Sequence, residues 1–434
     1  MTSKQSEILS IVRSEKESLV ELVKRLITFN TTAPNLGEKP IDDKACQEYI
    51  ADALEDLDME VDLWEPDVET MRKYPFYIQG QNFRDRPVLA ARLKGSGGGR
   101  SLILNGHIDV VSAEPVKLWK HNPWSGQVEN GRIYGRGSCD MKGGIGAIIK
   151  ALVAIKKTGI RLKGDVIVET VVDEEINGIG TVACIDKGYR ADAALIPEPT
   201  DLDVWIANRG LLWAEIEISG RSGHAELTHP HWKDGGAVNS IEKAFFTLGE
   251  LKRLEREWQE REDKKHKLLS PPKIVPTIFS GGDFWATIPE RSRMTMDIQY
   301  LPSDRDEKGY GSLVKREIED HLQRLADVDS WLGEHPPSVR WLMDLPPLDL
   351  ESEQPVVLAM RKSIESVGLG VRIAGFDSWT DAAHLMNSAM TPGICFGPGP
   401  TSAAHTIDEY VSISDLLKST EVLSSFIAEW CGYD

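Results

Sequence analysis

Two rhythms of apolar and polar residues divide the chain. Between residues 88 and 200, short apolar runs (VLAARLKG, SLILNGHIDVV, DVIVETVVDEE, ADAALIPEPT) are interrupted by IGAIIKALVAIKKTG, where apolar residues recur at i, i+3 and i+4. Strand runs alternating with a helix predict an α/β domain, a largely parallel mixed sheet flanked by helices, with its ligand crevice beyond the carboxyl ends of the strands. GSGGG, residues 95–99, reads as a tight connection between the first two strands. The opening MTSKQSEILSIVRSEKESLVELVKRL keeps helical spacing with charges between its apolar residues, and predicts one amphipathic helix instead of a signal peptide.

The rhythm changes after Asn208. LLWAEIEISG alternates as a half-exposed antiparallel strand does. AVNSIEKAFFTLGELKRLEREWQE predicts a long helix, KIVPTIFSGG and RSRMTMDIQYLP two strands, and YGSLVKREIEDHLQRL a second helix. That series makes a small ferredoxin-like α+β layer with helices on one face. Around PPLDLESEQP proline and acid increase, and PVVLAMRKSIESVG returns to the earlier type. The expected organisation is a first domain of residues 1–208 and 346–434, with 209–345 inserted in it. Two cores suit 434 residues, because single cores stop growing at roughly 250–300.

Composition adds exclusions. Hydrophobic residues at 41% and charged ones at 27% are those of an ordinary globular chain. With 68 Asp and Glu against 50 Lys and Arg, a net charge of -18 repels phosphate backbones and anionic lipid, which disfavours nucleic-acid and membrane partners. The most apolar helix is broken by Lys150 and is far shorter than the ~20 residues of a membrane span. Cys46, Cys139, Cys184, Cys395 and Cys431 are scattered without a CxxC pair, so neither a disulfide framework nor a thiolate zinc site is expected, and a cytoplasmic setting fits. GSGGGRS lacks the Gly-Lys-Ser/Thr ending of a phosphate loop.

What remains is a set of polar residues closing apolar runs or their adjoining turns: His107 and Asp109, Asp140 in GRGSCDMKGG, Glu174 and Glu175, Glu198, and much later His405 in SAAHTIDEYV. Strand ends of a parallel sheet converge on one rim, so these side chains can meet. Two histidines and three carboxylates, one of them bridging, would give each of two divalent ions three protein ligands. Nitrogen and oxygen donors of this kind suit zinc, with cobalt and manganese as alternatives. Asp109, at i+2 from His107, can point the same way and accept the other imidazole proton.

Taken in order, GHIDVV, GRGSCDMKGG, VVDEE, IPEPT, GRSGHAE and AHTIDEYV closely resemble the dinuclear metallopeptidase and deacylase family, peptidase family M20, that contains acetylornithine deacetylase, succinyl-diaminopimelate desuccinylase, aminoacylase and glutamate carboxypeptidase. The likeness spans about residues 10–430. It implies two divalent metal ions, one held by His107 and Glu198, the other by Glu175 and His405, with Asp140 bridging. Glu174 is similar to the family's general base, and Asp109 to the aspartate that orients a ligand. His224 resembles a histidine that reaches across a dimer to stabilise the oxyanion. A cis Asp140-Met141 bond, an inserted lid and dimerisation domain, and hydrolysis of an amide or related C–N bond in a small-molecule substrate by a homodimer or higher homo-oligomer follow from the same likeness.

Two positions depart from it. Many relatives carry an Asn just before a lid Ile-Pro and an Arg in an Asp-x-Arg strand, both near a substrate carboxylate. In GGDFWATIPERSRMTMDIQYLP, Ala286 and Gln299 stand there. Without the guanidinium fork a bidentate clamp is lost, so recognition of a free α-carboxylate is not expected. Phe284, Trp285 and Trp379 are candidates for an apolar pocket, with ordinary packing the plainer expectation. Three readings stay open: a deacylase acting on an N-acylated amine or amino acid; the same chemistry on an N-carbamoyl, dipeptide or aromatic-amine C–N bond; and a non-catalytic binding homologue, which the intact ligand set and Glu174 oppose.

Overall fold

A computed structural model describes residues 3–34 and 40–434. Two compact units emerge: Met1–Ile206, Asp349–Gly375 and Thr380–Asp434 form the first, Ala207–Leu348 and Phe376–Trp379 the second. The hydropathy pattern sets these borders at 208 and 346, and nothing in it marks the return of Phe376–Trp379 to the second unit.

In the first unit the apolar runs become strands of a nine-stranded sheet. Glu60–Trp64, Val88–Leu93, Val166–Val171, Leu102–His107, Ala193–Ile196, Gly393–Cys395 and Val204–Asn208 succeed one another across it. The four from Val166–Val171 to Gly393–Cys395 run parallel, with antiparallel strands on either side. Every residue of Leu102–His107 and Val166–Val171 is buried, as a sheet covered on both faces requires. Helix Lys142–Lys157 packs against Ile413–Cys431, and Ile179–Lys187 against Ala382–Ala389. Among the described residues no helix is long and apolar enough to cross a membrane.

Two local expectations are corrected. GSGGG does not join neighbouring strands: Val166–Val171 lies between them, antiparallel to Val88–Leu93 and parallel to Leu102–His107. The glycine segment instead turns against the chain leading into that middle strand, Ser96 and Gly97 donating to the carbonyls of Leu162 and Lys163 at 2.9 Å. The N-terminal helix is two helices, Ser3–Ser14 and Lys16–Ile27. They part at Glu15, whose carboxylate takes Lys157 at 2.5 Å, and the first packs on Ile413–Cys431 while the second packs mainly on Lys142–Lys157.

The second unit holds an antiparallel sheet in the order Lys273–Gly281, Arg291–Tyr300, Gly210–Ser219, Ser338–Leu345. Leu212, Ala214, Ile216 and Ile218 alternate into a core completed by Leu251 and Trp258 of helix Ser240–Glu260 and by Val314 and Ile318 of helix Ser312–Gln323. Ser338–Leu345 is invisible to a period-two reading, because a register shift between Trp341 and Met343 breaks the alternation.

Behind the first unit's sheet, Asn105 donates to Glu169 and to Thr181, each at 2.9 Å, while Oε1 of Glu169 has no partner among the described residues. Burial pushes this carboxyl up to about 7 from 4.5. The unfolded chain therefore releases its proton first, and as pH rises from about 4.5 to about 7 this group takes stability away. Glu169→Gln keeps the amide contact and removes the titration. Its stability is expected to decline less over that window, by on the order of 2 to 3 kcal/mol at the upper end. Urea midpoints across a pH series check this; parallel curves for the two proteins would reject it.

Candidate metal centre

Leu102–His107 delivers His107 to the strand terminus. Its Nδ1 donates to the main-chain oxygen of Asp109 at 2.9 Å, and Nε2 faces Oδ1 of Asp140 at 3.1 Å. The expected acceptor for that Nδ1 proton, the Asp109 carboxylate, lies 3.7 Å away. It accepts instead the N–H groups of Glu174 at 3.3 Å and Glu175 at 3.1 Å. Asp109 thus orients the imidazole through its backbone and the acidic turn through its side chain.

That turn follows Val166–Val171. Asp173 adopts φ +65°, its carbonyl gathering the N–H groups of Asn177 and Gly178, and its carboxylate pairs with buried Arg86 at 2.6 Å. Glu174 and Glu175 come next along it. Glu198 lies just beyond Ala193–Ile196, where Gly144 lets the helix start approach: a Cβ there would sit 2.2 Å from the carbonyl oxygen of Pro197.

Asp140 joins the parts. While Oδ1 faces His107, Oδ2 lies 3.3 Å from Nε2 of His405, and that nitrogen is 2.9 Å from Oε2 of Glu175. Potential ligand atoms of His107, Asp140 and Glu198 lie within 4.8 Å of one another, as do those of Asp140, Glu175 and His405. All five expected ligands are therefore gathered, with Oε2 of Glu174 3.9 Å from His107 Nε2. His224 is in neither group; it belongs to the second unit, exposed, in a short pairing of Gly223–His224 with Thr287–Ile288.

Burial and neighbouring charges shift the ionisable groups of this cluster in opposite directions. Burial drives the Glu174 and Glu198 carboxyls well above their ordinary range. Burial is also the largest single influence on His107 and Asp140 and opposes charge on both, but it is outweighed by their mutual hydrogen bond together with neighbouring charges, Glu174, Glu198 and Asp109 helping to raise the imidazole and His405 helping to hold the carboxyl low. Asp140 and Glu175 raise His405 to about 10. Oε1 of Glu198 is buried without a hydrogen-bond partner among the described residues, its nearest basic atom being Nε2 of His107 at 4.0 Å. An orphaned carboxylate oxygen, two imidazole nitrogens and a carboxylate offering one oxygen to each side form a donor set that fits two divalent cations of zinc's type.

One supporting residue escaped the sequence reading. Glu409, fully buried, accepts N–H from Cys139 at 2.9 Å and Asp140 at 3.1 Å on one oxygen, and from Gly137 at 3.1 Å and the Arg136 guanidinium at 2.7 Å on the other. It clasps the turn that presents Asp140, whose bond to Met141 is cis. The signal was present as an acid pair, Asp408-Glu409, close behind His405. Asp381, buried and taking a 2.6 Å bond from Thr181, also escaped; burial pushes its carboxyl up to about 7.

At the positions that depart from the resemblance, Arg209 donates to Oε1 of Gln299 at 2.6 Å, and Gln299 donates to Asp297 at 3.1 Å. Trp379 is buried with Nε1 bonded to the Pro346 carbonyl, as packing predicts, whereas Phe284 and Trp285 are exposed.

The sequence pattern of Peptidase family M20/M25/M40 matches residues 103–429. The chain belongs to that family. It is a hydrolase of amide C–N bonds. Among family relatives, N-formyl-4-amino-5-aminomethyl-2-methylpyrimidine deformylase of Bacillus subtilis (strain 168) is 30% identical over 436 residues, covering 97% of this chain and 96% of the relative. Acetylornithine deacetylase of Proteus mirabilis (strain HI4320) is 26% identical over 418 residues, covering 95% and 97%. In fold, the chain is similar to the di-peptidase Dug1p from Saccharomyces cerevisiae, with a TM-score of 0.73 at 15% identity and 99% of each chain covered.

Proposed function

We propose that this protein is a deformylase or small-acyl deacylase acting on an N-acylated heteroaromatic amine, with two divalent ions, zinc by preference and cobalt or manganese as alternatives. The observation that carries the chemistry is Asp140, one oxygen toward His107 and the other toward His405. His107 and Glu198 would hold one ion, Glu175 and His405 the other, and Asp140 both. Bound ions would supply Lewis acidity, bringing the pKa of water towards ~7 and polarising the substrate carbonyl.

The remaining work falls to side chains. Glu174, buried beside His107, takes the proton of the attacking water. The water oxygen bonds to the acyl carbon, the C–N bond breaks, and Glu174 returns the proton to the leaving nitrogen, giving an amine and a carboxylic acid, whose own proton is then released to solvent or to the amine. Asp109 keeps Glu174 and Glu175 aimed through their N–H groups. By the resemblance, His224 reaches across a dimer to the partner's site and would donate there to the carbonyl oxygen as it becomes negative.

Support for the substrate class comes from Ala286 and Gln299, which remove the expected carboxylate clamp, and from the pyrimidine deformylase likeness across nearly the whole chain. Five free, buried cysteines suit a reducing compartment such as the cytoplasm. Lys273–Gly281 is an edge strand with Val275, Ile278 and Phe279 exposed, and Phe279 stacks on exposed Phe245 at 5.5 Å, which favours a homodimer through this edge. Sedimentation equilibrium of the full chain decides that point.

The activity test loads the protein with zinc, cobalt or manganese and compares an N-formyl aminomethylpyrimidine with an N-acetyl amino acid. The first is expected to have a kcat/KM at least roughly tenfold higher, the size of one missing charged contact. Equal or reversed preference rejects the substrate class, and failure to hydrolyse either rejects the chemistry.

A further inference from the structure

Glu174 and Glu175 directly follow a backbone conformation that aspartate rarely adopts. Asp173 sits at φ +65°, in the left-handed region that residues other than glycine keep only where the surrounding structure holds them. What holds it comes from a stretch of chain without a proposed metal ligand, the connection between Glu60–Trp64 and Val88–Leu93.

Two side chains of that connection reach Asp173. Nη1 of Arg86 lies 2.6 Å from its Oδ1, and Nε2 of Gln81 donates to its Oδ2 at 2.8 Å. Gln81 and Asn177 exchange amide hydrogen bonds at 3.1 and 2.9 Å, and Asn177 donates to the Phe76 carbonyl at 2.8 Å, so the connection is fastened to both ends of the turn 173–177. Arg86 is anchored in its own right, Nε donating to Oδ1 of Asp43 at 2.9 Å, and Arg86, Asp43 and Asp173 are all buried. Burial opposes the guanidinium charge, but Asp173, Asp43 and Asp109 outweigh it and hold Arg86 charged.

The reach of this clamp is selective. Of the five proposed ligands only Glu175 stands on the clamped turn, its carboxylate 2.9 Å from His405 in the group that includes Asp140. His107 and Glu198 are presented by the ends of Leu102–His107 and Ala193–Ile196, and Asp140 by the turn before Lys142–Lys157. A change at Asp173 therefore disturbs one group of donors and leaves the other standing. We infer that Arg86, assisted by Gln81, is a positioning residue for the metal centre: by fixing Asp173 it aims Glu175, and so sets the affinity of the ion at Glu175 and His405 without setting that of the ion at His107 and Glu198. This rests on the proposed placement of two ions and adds a residue outside the ligand set that tunes one of them.

The test strips the full chain of metal and titrates it with cobalt(II), followed by visible absorption; Glu175→Gln and Glu198→Gln identify which binding step belongs to which group. Arg86→Met is expected to weaken the Glu175 step about 10- to 100-fold, the usual loss when a group that orients a ligand is removed, and to leave the Glu198 step at its wild-type affinity. Arg86→Lys keeps the charge but not the planar fork that spans Asp43 and Asp173, and is expected to recover part of the loss. Gln81→Leu removes one contact to Asp173 and no charge, and is expected to weaken the same step by less. These two variants decide the matter if Arg86→Met does not fold. Equal weakening of both steps overturns the inference, and so do unchanged affinities with a lowered melting temperature, since either makes Arg86 a stabiliser of the fold alone. Wild-type protein that takes up fewer than two cobalt ions instead overturns the two-ion placement on which the inference rests.

Discussion

Glu174→Gln is expected to lose about 10² to 10⁴ in kcat while its KM stays close to that of the wild type. The amide has the shape of the carboxylate but cannot take a proton from water at neutral pH. Its place would be kept, because the main-chain N–H of residue 174 is held by Asp109 and the preceding Asp173 is fixed by Arg86 and by three backbone bonds to its carbonyl. His107, Asp140, Glu175, Glu198 and His405 are untouched, so metal content measured on the same samples should match. Loss of activity without loss of metal is thus the signature sought. If metal-loaded mutant and wild type hydrolyse an N-acyl panel at equal rates, Glu174 is not the base and the non-catalytic reading regains its place.

Much of this centre was legible in the sequence because most of the proposed ligands close an apolar run or its turn. His107 ends Leu102–His107, the pair Glu174 and Glu175 follows Val166–Val171, and Glu198 follows Ala193–Ile196. Burying a polar group is unfavourable unless it is partnered, so an acid at the end of a buried strand announces a structural or chemical use. What the pattern lacks is direction. It could place Asp109 on the same side as His107, but not tell that the main-chain oxygen would take the imidazole proton while the carboxylate served the turn beyond.

The misses share a cause. Strand adjacency depends on partners far along the chain, so GSGGG looked like a short link although Val166–Val171 inserts between the strands it joins. A bulge hid Ser338–Leu345, and Phe376–Trp379 crosses to the second unit without any change of composition. Phe284 and Trp285 looked like packing residues because their apolar character says nothing of exposure; only the hairpin's geometry leaves them in water.

Glu409→Gln should produce the other large effect, and on metal binding as much as on stability. The wild-type carboxylate has acceptors on both oxygens and four donors aimed at them. An amide keeps one acceptor and turns its NH₂ toward either the Arg136 and Gly137 donors or those of Cys139 and Asp140. In both cases the buried guanidinium loses its counter-charge; in the first it also loses its acceptor, and in the second Asp140 loses its main-chain anchor. Breaking a buried ion pair costs about 3 to 5 kcal/mol, and loss of a group that orients a metal ligand weakens affinity about 10- to 100-fold. Asp304→Asn provides the comparison: Asp304 pairs with buried Lys264 in the second unit, so its loss should lower the melting temperature without altering metal affinity. Competition against a chromophoric chelator separates the two cases. Weakened binding in Glu409→Gln alone means that the clasp on the Asp140 turn sets affinity at both proposed ions, because both would share Asp140. Wild-type affinity in both variants, with melting lowered alike, would reduce Glu409 to a stabiliser of the fold.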